Sequence, residues 1–214
     1  ILIGVPLGVE KIVLSNENSA NEGNTSFQGQ IINHQYSKSF DFEKKFDQYN
    51  QLYLTHHTKY FSFLRPLKEL QIARIFSKFT KYHHYFRSCN VGQKNDEWCR
   101  QCSKCLFVWI ILSPWVSLSG MKKIFGTNLW LDKSLLSTFK ELAGIQGNKP
   151  FECVGTIAEV RTAIVMCLNK YQSEDFPLLK EAQKWGLIAT EDQLNHENLV
   201  PKHFLEMLKY ELST

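Results

Sequence analysis

Cys89, Cys99, Cys102 and Cys105 fall within seventeen residues at the spacing C-x9-C-x2-C-x2-C. Thiolates are good zinc ligands, and four of them complete the metal's tetrahedral coordination. Such a closed shell leaves no position for water or substrate, so the zinc expected here is structural rather than catalytic. Four free or disulfide-bonded thiols are the other reading of this pattern. Composition favours the metal: six cysteines in 214 residues, four of them clustered, suit a reducing compartment better than a disulfide scaffold. With 43% hydrophobic and 21% charged residues the chain reads as an ordinary globular protein.

A second stretch with chemical potential is Lys149-Pro150-Phe151-Glu152-Cys153-Val154-Gly155-Thr156. It precedes a helix, and a helix N-terminus lowers the pKa of a nearby thiol, so Cys153 could be reactive; a lone buried cysteine is the plainer alternative. Two dense polar stretches follow the same logic of position. Ser15 to Asn24 comes directly after an apolar run, and Asn33-His34-Gln35-Tyr36-Ser37-Lys38-Ser39 lies shortly beyond. In open α/β sheets ligands bind beyond the carboxyl ends of strands, which makes the first stretch a binding-site candidate; a solvated loop explains it equally well. The net charge of +4 suits an anionic small molecule as well as nucleic acid.

The elements that must position these residues are read from periodicity. Lys11-Ile12-Val13-Leu14 predicts a buried strand. Phe42, Phe46, Tyr49 and Tyr53 repeat at helical spacing and predict a helix with an aromatic core face. Pro66 is expected to open another helix with Ile72, Ile75, Phe76 and Phe79 inward, leaving Arg65, Glu69 and Arg74 as solvated charges. Leu106 to Leu112 predicts a short buried helix ending before Pro114. Further helices are expected from Asp132 to Gly144, from Thr156 to Tyr171 with Cys167 in the core, from Phe176 to Gly186, after a capping box at Thr190 and Gln193, and from Pro201 onward. No apolar run is long enough to span a bilayer and no signal peptide is visible, so we expect a cytoplasmic protein without membrane contact.

Several segments together resemble the bacterial UDP-N-acetylmuramoyl-L-alanyl-L-glutamate epimerases. They are Ser15-Asn16-Glu17 with Ser19-Ala20 and Gly23-Asn24, then Asn33 to Ser39, Phe63-Leu64-Arg65-Pro66-Leu67, Phe86-Arg87-Ser88-Cys89-Asn90, the other three cysteines with Leu106-Phe107, and Lys149 to Thr156. The resemblance is collinear over roughly residues 11 to 160. It implies an ATP-dependent inversion of the terminal L-glutamate of UDP-MurNAc-L-Ala-L-Glu, through an acyl-adenylate, with release of AMP and pyrophosphate. It also implies an α/β architecture: an incomplete doubly wound part of the adenine-nucleotide-hydrolase type over residues 1–80, then a mostly helical region with the zinc site over 81–214.

Within that resemblance His34, Glu17, Glu152 and Cys153 are the candidate proton carriers, His34 and Glu17 foremost. The anionic substrate would be held by Lys38, Arg65 and Arg87, with Ser15, Asn16, Ser19, Asn24, Asn33, Gln35, Tyr36 and Ser37 as polar contacts. ATP and Mg would serve as co-substrate in the full-length enzyme. One departure stands out: the superfamily's Ser-Gly-Gly-x-Asp-Ser nucleotide loop is absent, and Gly4 and Gly8 carry neither its serines nor its aspartate. Together with a start at Ile1 rather than methionine, this leads us to expect the C-terminal part of a longer enzyme. The 7-cyano-7-deazaguanine synthases, adenylating enzymes with a similar four-cysteine site, are the runner-up. A zinc-dependent nucleic-acid-binding module comes third, on the basic residues Lys81, Arg87, Lys94, Arg100 and Lys104.

Overall fold

A computed structural model describes residues 1, 3–23, 25–55, 57–190 and 193–213. The expected first strand is present as β1, Lys11–Leu14, but it is not buried: Lys11 and Val13 are exposed and Ile12 and Leu14 half-buried. After it come a 3₁₀ turn at Asn18–Asn21 and a hairpin, β2 (Thr25–Phe27) and β3 (Gln30–Ile32), whose two-residue turn puts Gln28 and Gly29 at φ +48° and +77°. Both turn residues have positive φ, as a tight twisted hairpin requires. The chain then forms α1, Phe40–Tyr49, and returns as β4, Lys59–Ser62. β4 pairs in parallel with β1, Lys11 opposite Lys59 and Leu14 opposite Ser62, so β1, α1 and β4 form a βαβ unit.

The helix α1 overturns the expected aromatic core face. Its buried residue is Glu43, and Asn50 is buried one step beyond the helix, whereas Tyr49 and Tyr53 are 52% and 72% exposed. Glu43 Oε1 accepts from the Ser62 amide at the end of β4, and Asn50 Nδ2 donates to the Thr58 carbonyl. Polar side chains face inward here because they satisfy backbone groups where α1 packs on β4. Phe42 and Phe46 are half-buried, Phe46 against Tyr60 of β4, and Tyr49 and Tyr53 face outward.

From residue 69 the protein is helical: α2 (Glu69–Ser77), α3 (Ser103–Leu112), α4 (Leu118–Phe125), α5 (Leu136–Leu142), α6 (Ile157–Lys170), α7 (Pro177–Ala182) and α8 (Lys202–Ser213). α3 is apolar on every side and buried from Cys105 to Leu112, so it forms the axis of the core, with α2, α5 and α6 packed around it. Trp109, Trp130, Phe125 and Phe139 fill the space between. α2 belongs to this core through Leu70 and Ala73. α2 starts three residues after Pro66, its first turn fixed by Gln71 Oε1 accepting from the Lys68 amide. Its expected inward stripe is only partly buried; Leu70, Gln71 and Ala73 are the inward residues. Among the described residues no helix stands between Thr190 and α8: residues 193–200 are irregular, and the Thr190 amide donates to Thr162 Oγ1. Among the described residues no helix is long and apolar enough to cross a membrane.

Candidate active site and metal centre

The four cysteines come together as their spacing implies. Their Sγ atoms all lie within 4.8 Å of one another, with Cys89 to Cys102 at 3.9 Å and Cys99 to Cys105 at 3.7 Å. Zinc–sulfur bonds of about 2.3 Å in a tetrahedron separate sulfurs by about 3.8 Å, so this donor set has the size of such a site. None of the six cysteines is disulfide-bonded. Backbone amides point at the sulfurs: Gly92 and Cys99 donate to Cys89 Sγ, Cys102 to Cys99 Sγ, and Cys105 to Cys102 Sγ. Amides in these positions stabilise thiolates and orient them. Hydrogen bonding from Cys105, ahead of the amide bonds, pulls Cys102 down to about 5. Gly92 is required by this loop, since a Cβ there would lie 2.2 Å from the Glu97 carbonyl.

Of the basic residues around the cysteines, Lys81, Lys94 and Arg100 are exposed, and Arg87 and Lys104 are half-buried. Arg87 donates to the carbonyls of His84, Phe86 and Asp96, and Arg100 Nε to that of Phe125. Arg87 thereby braces the cysteine loop. Arg65, expected among the solvated charges, is not one of them. It is fully buried, with Nε and Nη2 on the Glu43 carboxylate at 3.1 and 2.8 Å, Nη1 on the Glu17 carbonyl and Nη2 on the Lys38 carbonyl. Four of its five N–H donors are engaged by protein oxygens, so Arg65 holds the two polar loops in register.

Those loops and the Lys149–Thr156 segment do converge. Lys38 Nζ lies 3.5 Å from Cys153 Sγ and 3.5 Å from Gln35 Oε1, and the His34 ring stands 6.2 Å from that of Phe151. His34 is lowered by desolvation and by the nearby Lys38 and Lys149 charges, which keeps its imidazole neutral at pH 7. Glu17 accepts from the buried Ser19 hydroxyl at 3.1 Å. Ser15 is exposed at the end of β1, and Asn16 donates to the Ser62 hydroxyl. Asn33 works within its loop, donating to the Ala20 carbonyl and accepting from the Gln35 amide. Tyr36 donates to Asp41 at the solvent side, and Ser37 is exposed. Asn24 lies outside the described residues. Glu152 accepts from Ser103 Oγ at 2.6 Å and from the Lys104 amide at 3.0 Å, so its carboxylate caps α3 beside the cysteines. Lys104 Nζ reaches the Cys153 carbonyl.

Sequence reasoning missed Glu69, assigned above to a solvated face. It is the first residue of α2 and lines a cavity of about 420 Å³ together with Ser15, Ser88 and Lys104, walled by Phe76, Phe86 and Phe107. Burial pushes its carboxyl up to about 7, with Glu17 and Glu159 adding to the rise and Lys104 and Lys38 opposing it. Lys149 was also unassigned; it is buried and lies 3.6 Å from Glu22, whose carboxyl burial raises. A charged residue at a helix start has no local signature that separates solvation from enclosure. Only the packing of α2 against α3 and the end of β1 creates the cavity.

The comparisons with known proteins bear on this arrangement. Residues 1–63 match the MurL N-terminal domain and residues 85–198 match the MurL C-terminal domain. The UDP-N-acetyl-alpha-D-muramoyl-L-alanyl-L-glutamate epimerase of a Micromonospora species is 35% identical over 195 residues, covering 85% of this chain and 43% of the relative. The enzyme of the same name from Xanthomonas oryzae is 36% identical, covering 84% of this chain and 41% of the relative. That from Salinispora tropica is 36% identical, covering 80% and 38%. The chain thus spans about two fifths of the length of these curated relatives. No solved structure matches it. Glu17 and Lys38 come from the first matched region, and Lys104, Glu152 and Cys153 from the second. With both matches collinear and meeting at one cluster of charged side chains, the chain belongs to the MurL family.

Proposed function

We propose that the gene product carrying this chain inverts the terminal L-glutamate of UDP-MurNAc-L-Ala-L-Glu to D-glutamate, consuming ATP and releasing AMP and pyrophosphate. The observation that carries this reading is the contact between the two matched regions, Lys38 Nζ on Cys153 Sγ at 3.5 Å, in a family whose named relatives are epimerases of this substrate. A free carboxylate opposes removal of the adjacent Cα proton, and ATP with Mg supplies the activated, uncharged acyl group. The residues of this chain then have three tasks. Lys38, Lys104 and Lys149 provide positive charge for a substrate rich in carboxylates and phosphate. Neutral His34, Glu17 and Cys153 are groups able to accept or return a proton. Glu152 fixes the start of α3 and through it the position of Lys104.

The βαβ unit of β1, α1 and β4 is consistent with one part of a doubly wound nucleotide-hydrolase-like domain, which we propose as its parent fold. We propose further that the four thiolates bind zinc, which supplies a cross-link between the loop at Cys89 and the start of α3. No residue of this chain is assigned to ATP.

The test uses the natural gene product with ATP, Mg²⁺ and UDP-MurNAc-L-Ala-L-Glu. AMP release dependent on the nucleotide peptide, with D-glutamate in the recovered product, is the expected result. A folded protein that gives neither overturns the reading.

A further inference from the structure

We propose that Glu69, lining the cavity beyond the end of β1 together with Ser15 and Lys104, is one of the groups that move the Cα proton during the inversion. The inference rests on the function proposed above and adds to it a residue that neither motif nor spacing singled out.

Three observations support it. The first is position: Glu69 opens into the same space as Ser15, at the carboxyl end of β1, where ligands of parallel α/β units bind. The second is surroundings. Phe76, Phe86 and Phe107 wall the cavity, and such walls exclude water and strengthen the basicity of a carboxylate. The third is the charge around it. Lys104 on α3, Glu17 after β1, Glu159 on α6 and Lys38 before α1 are the charged groups facing Glu69 from the surrounding elements. Together they leave its carboxyl poised near neutrality, the range in which one group both takes and gives a proton efficiently.

The step balances as follows. The Glu69 carboxylate takes the Cα proton of the activated glutamyl residue and becomes the carboxylic acid. The electron pair of the broken C–H bond passes into the activated acyl group as an enolate. A proton delivered to the other face of Cα restores the C–H bond with inverted configuration, and the Lys38–Cys153 contact offers N–H and S–H donors for it. Loss of the activating group by hydrolysis then frees the carboxylate. The Glu69 proton returns to solvent, and the donor on the other face is reprotonated from solvent.

The experiment follows two readouts in the natural gene product in D₂O: AMP release, and deuterium incorporation at Cα of the terminal glutamate together with its chirality. In Glu69→Gln, AMP release is expected to persist within about threefold while inversion and deuterium incorporation fall by about 100-fold or more. In Glu69→Asp, inversion is expected at a reduced rate with a shifted pH profile, whereas the unaltered protein gains exchange rate as pH rises through about 7. Inversion by Glu69→Gln at the normal rate overturns the proposal. So does a folded Glu69→Gln that loses AMP release and inversion in proportion, since that marks a structural or binding role. If Glu69→Gln does not fold, Glu69→Asp decides, and an unchanged rate and pH profile count against the proposal. An unaltered protein that shows neither readout overturns the proposed function itself, and the proton role with it.

Discussion

At the scale of single residues, Glu69, half-buried at its cavity, and the fully buried Glu43–Arg65 pair illustrate two uses of a desolvated charge. A carboxyl raised from 4.5 in the unfolded chain to about 7 in the fold binds more protons when folded. Stability from this group is therefore complete below about pH 4.5 and is lost as pH climbs through 7. Glu69→Gln is accordingly expected to leave Tm unchanged near pH 4 and to raise it by about 3–6 °C near pH 8, as read by thermal unfolding at both pH values. The Glu43–Arg65 pair runs the other way. Both side chains are essentially without exposure, and the guanidinium also holds the carbonyls of Glu17 and Lys38. Glu43→Ala strands a buried cation and is expected to cost about 3–5 kcal/mol in chemical denaturation. A loss under about 1 kcal/mol would show that the pair is not needed to hold the loops. Neither role was legible beforehand, because a lone acid in a helical pattern reads the same whether it meets water, an arginine or a closed cavity.

At the scale of elements, locality decides what the sequence discloses. The cysteine loop was readable because all its ligands fall within seventeen residues and the spacing alone restricts the geometry. β1, α3 and α6 were readable for a similar reason: apolar runs and caps are local signals, and the Thr156–Glu159 capping box sits where α6 begins. The zinc proposal predicts about one equivalent of metal per chain by elemental analysis, and Cys102→Ser is expected to abolish it and lower Tm by several degrees. Metal-free protein with unchanged Tm would remove the proposal. α1 failed because aromatics at helical spacing look like a core face, while its true inner face is fixed by a partner arginine 22 residues on. The correction has a direct check. Tyr53→Lys and Leu52→Lys, at positions 72% and 71% exposed, are expected to change stability by no more than about 0.5 kcal/mol, against about 3 kcal/mol for a core aromatic. β4 and the β2–β3 hairpin were not foreseen, since their strands are three or four residues long and only pairing defines them.

At the scale of the whole molecule, the candidate site belongs to neither half alone. Glu159 on α6 accepts from the Leu70 amide of α2, and the Asn195 side chain binds that of Asn18 in the loop after β1. These long-range bonds tie the two halves together where Lys38 meets Cys153, a juxtaposition that collinear motifs suggest but do not specify. The half-buried aromatics of α1 give the molecule a second property. Phe42, Phe46, Leu54 and Tyr60 line an apolar depression with Ile1 and Ile3, of a kind that promotes association when left uncovered. The compact cysteine loop carries a consequence in time as well as in space. Closing seventeen residues is entropically cheap and rapid, whereas β1 must find β4 across an intervening helix and hairpin, Lys11 meeting Lys59. The loop at Cys89 and the first turn of α3 are thus expected to gain amide protection early in pulsed hydrogen-exchange refolding, with β1 and the polar loop behind it gaining theirs last. β1 is made before the elements it depends on, yet it would be among the last to settle, and the cleft beside Glu69 would exist only once the chain downstream had folded around it.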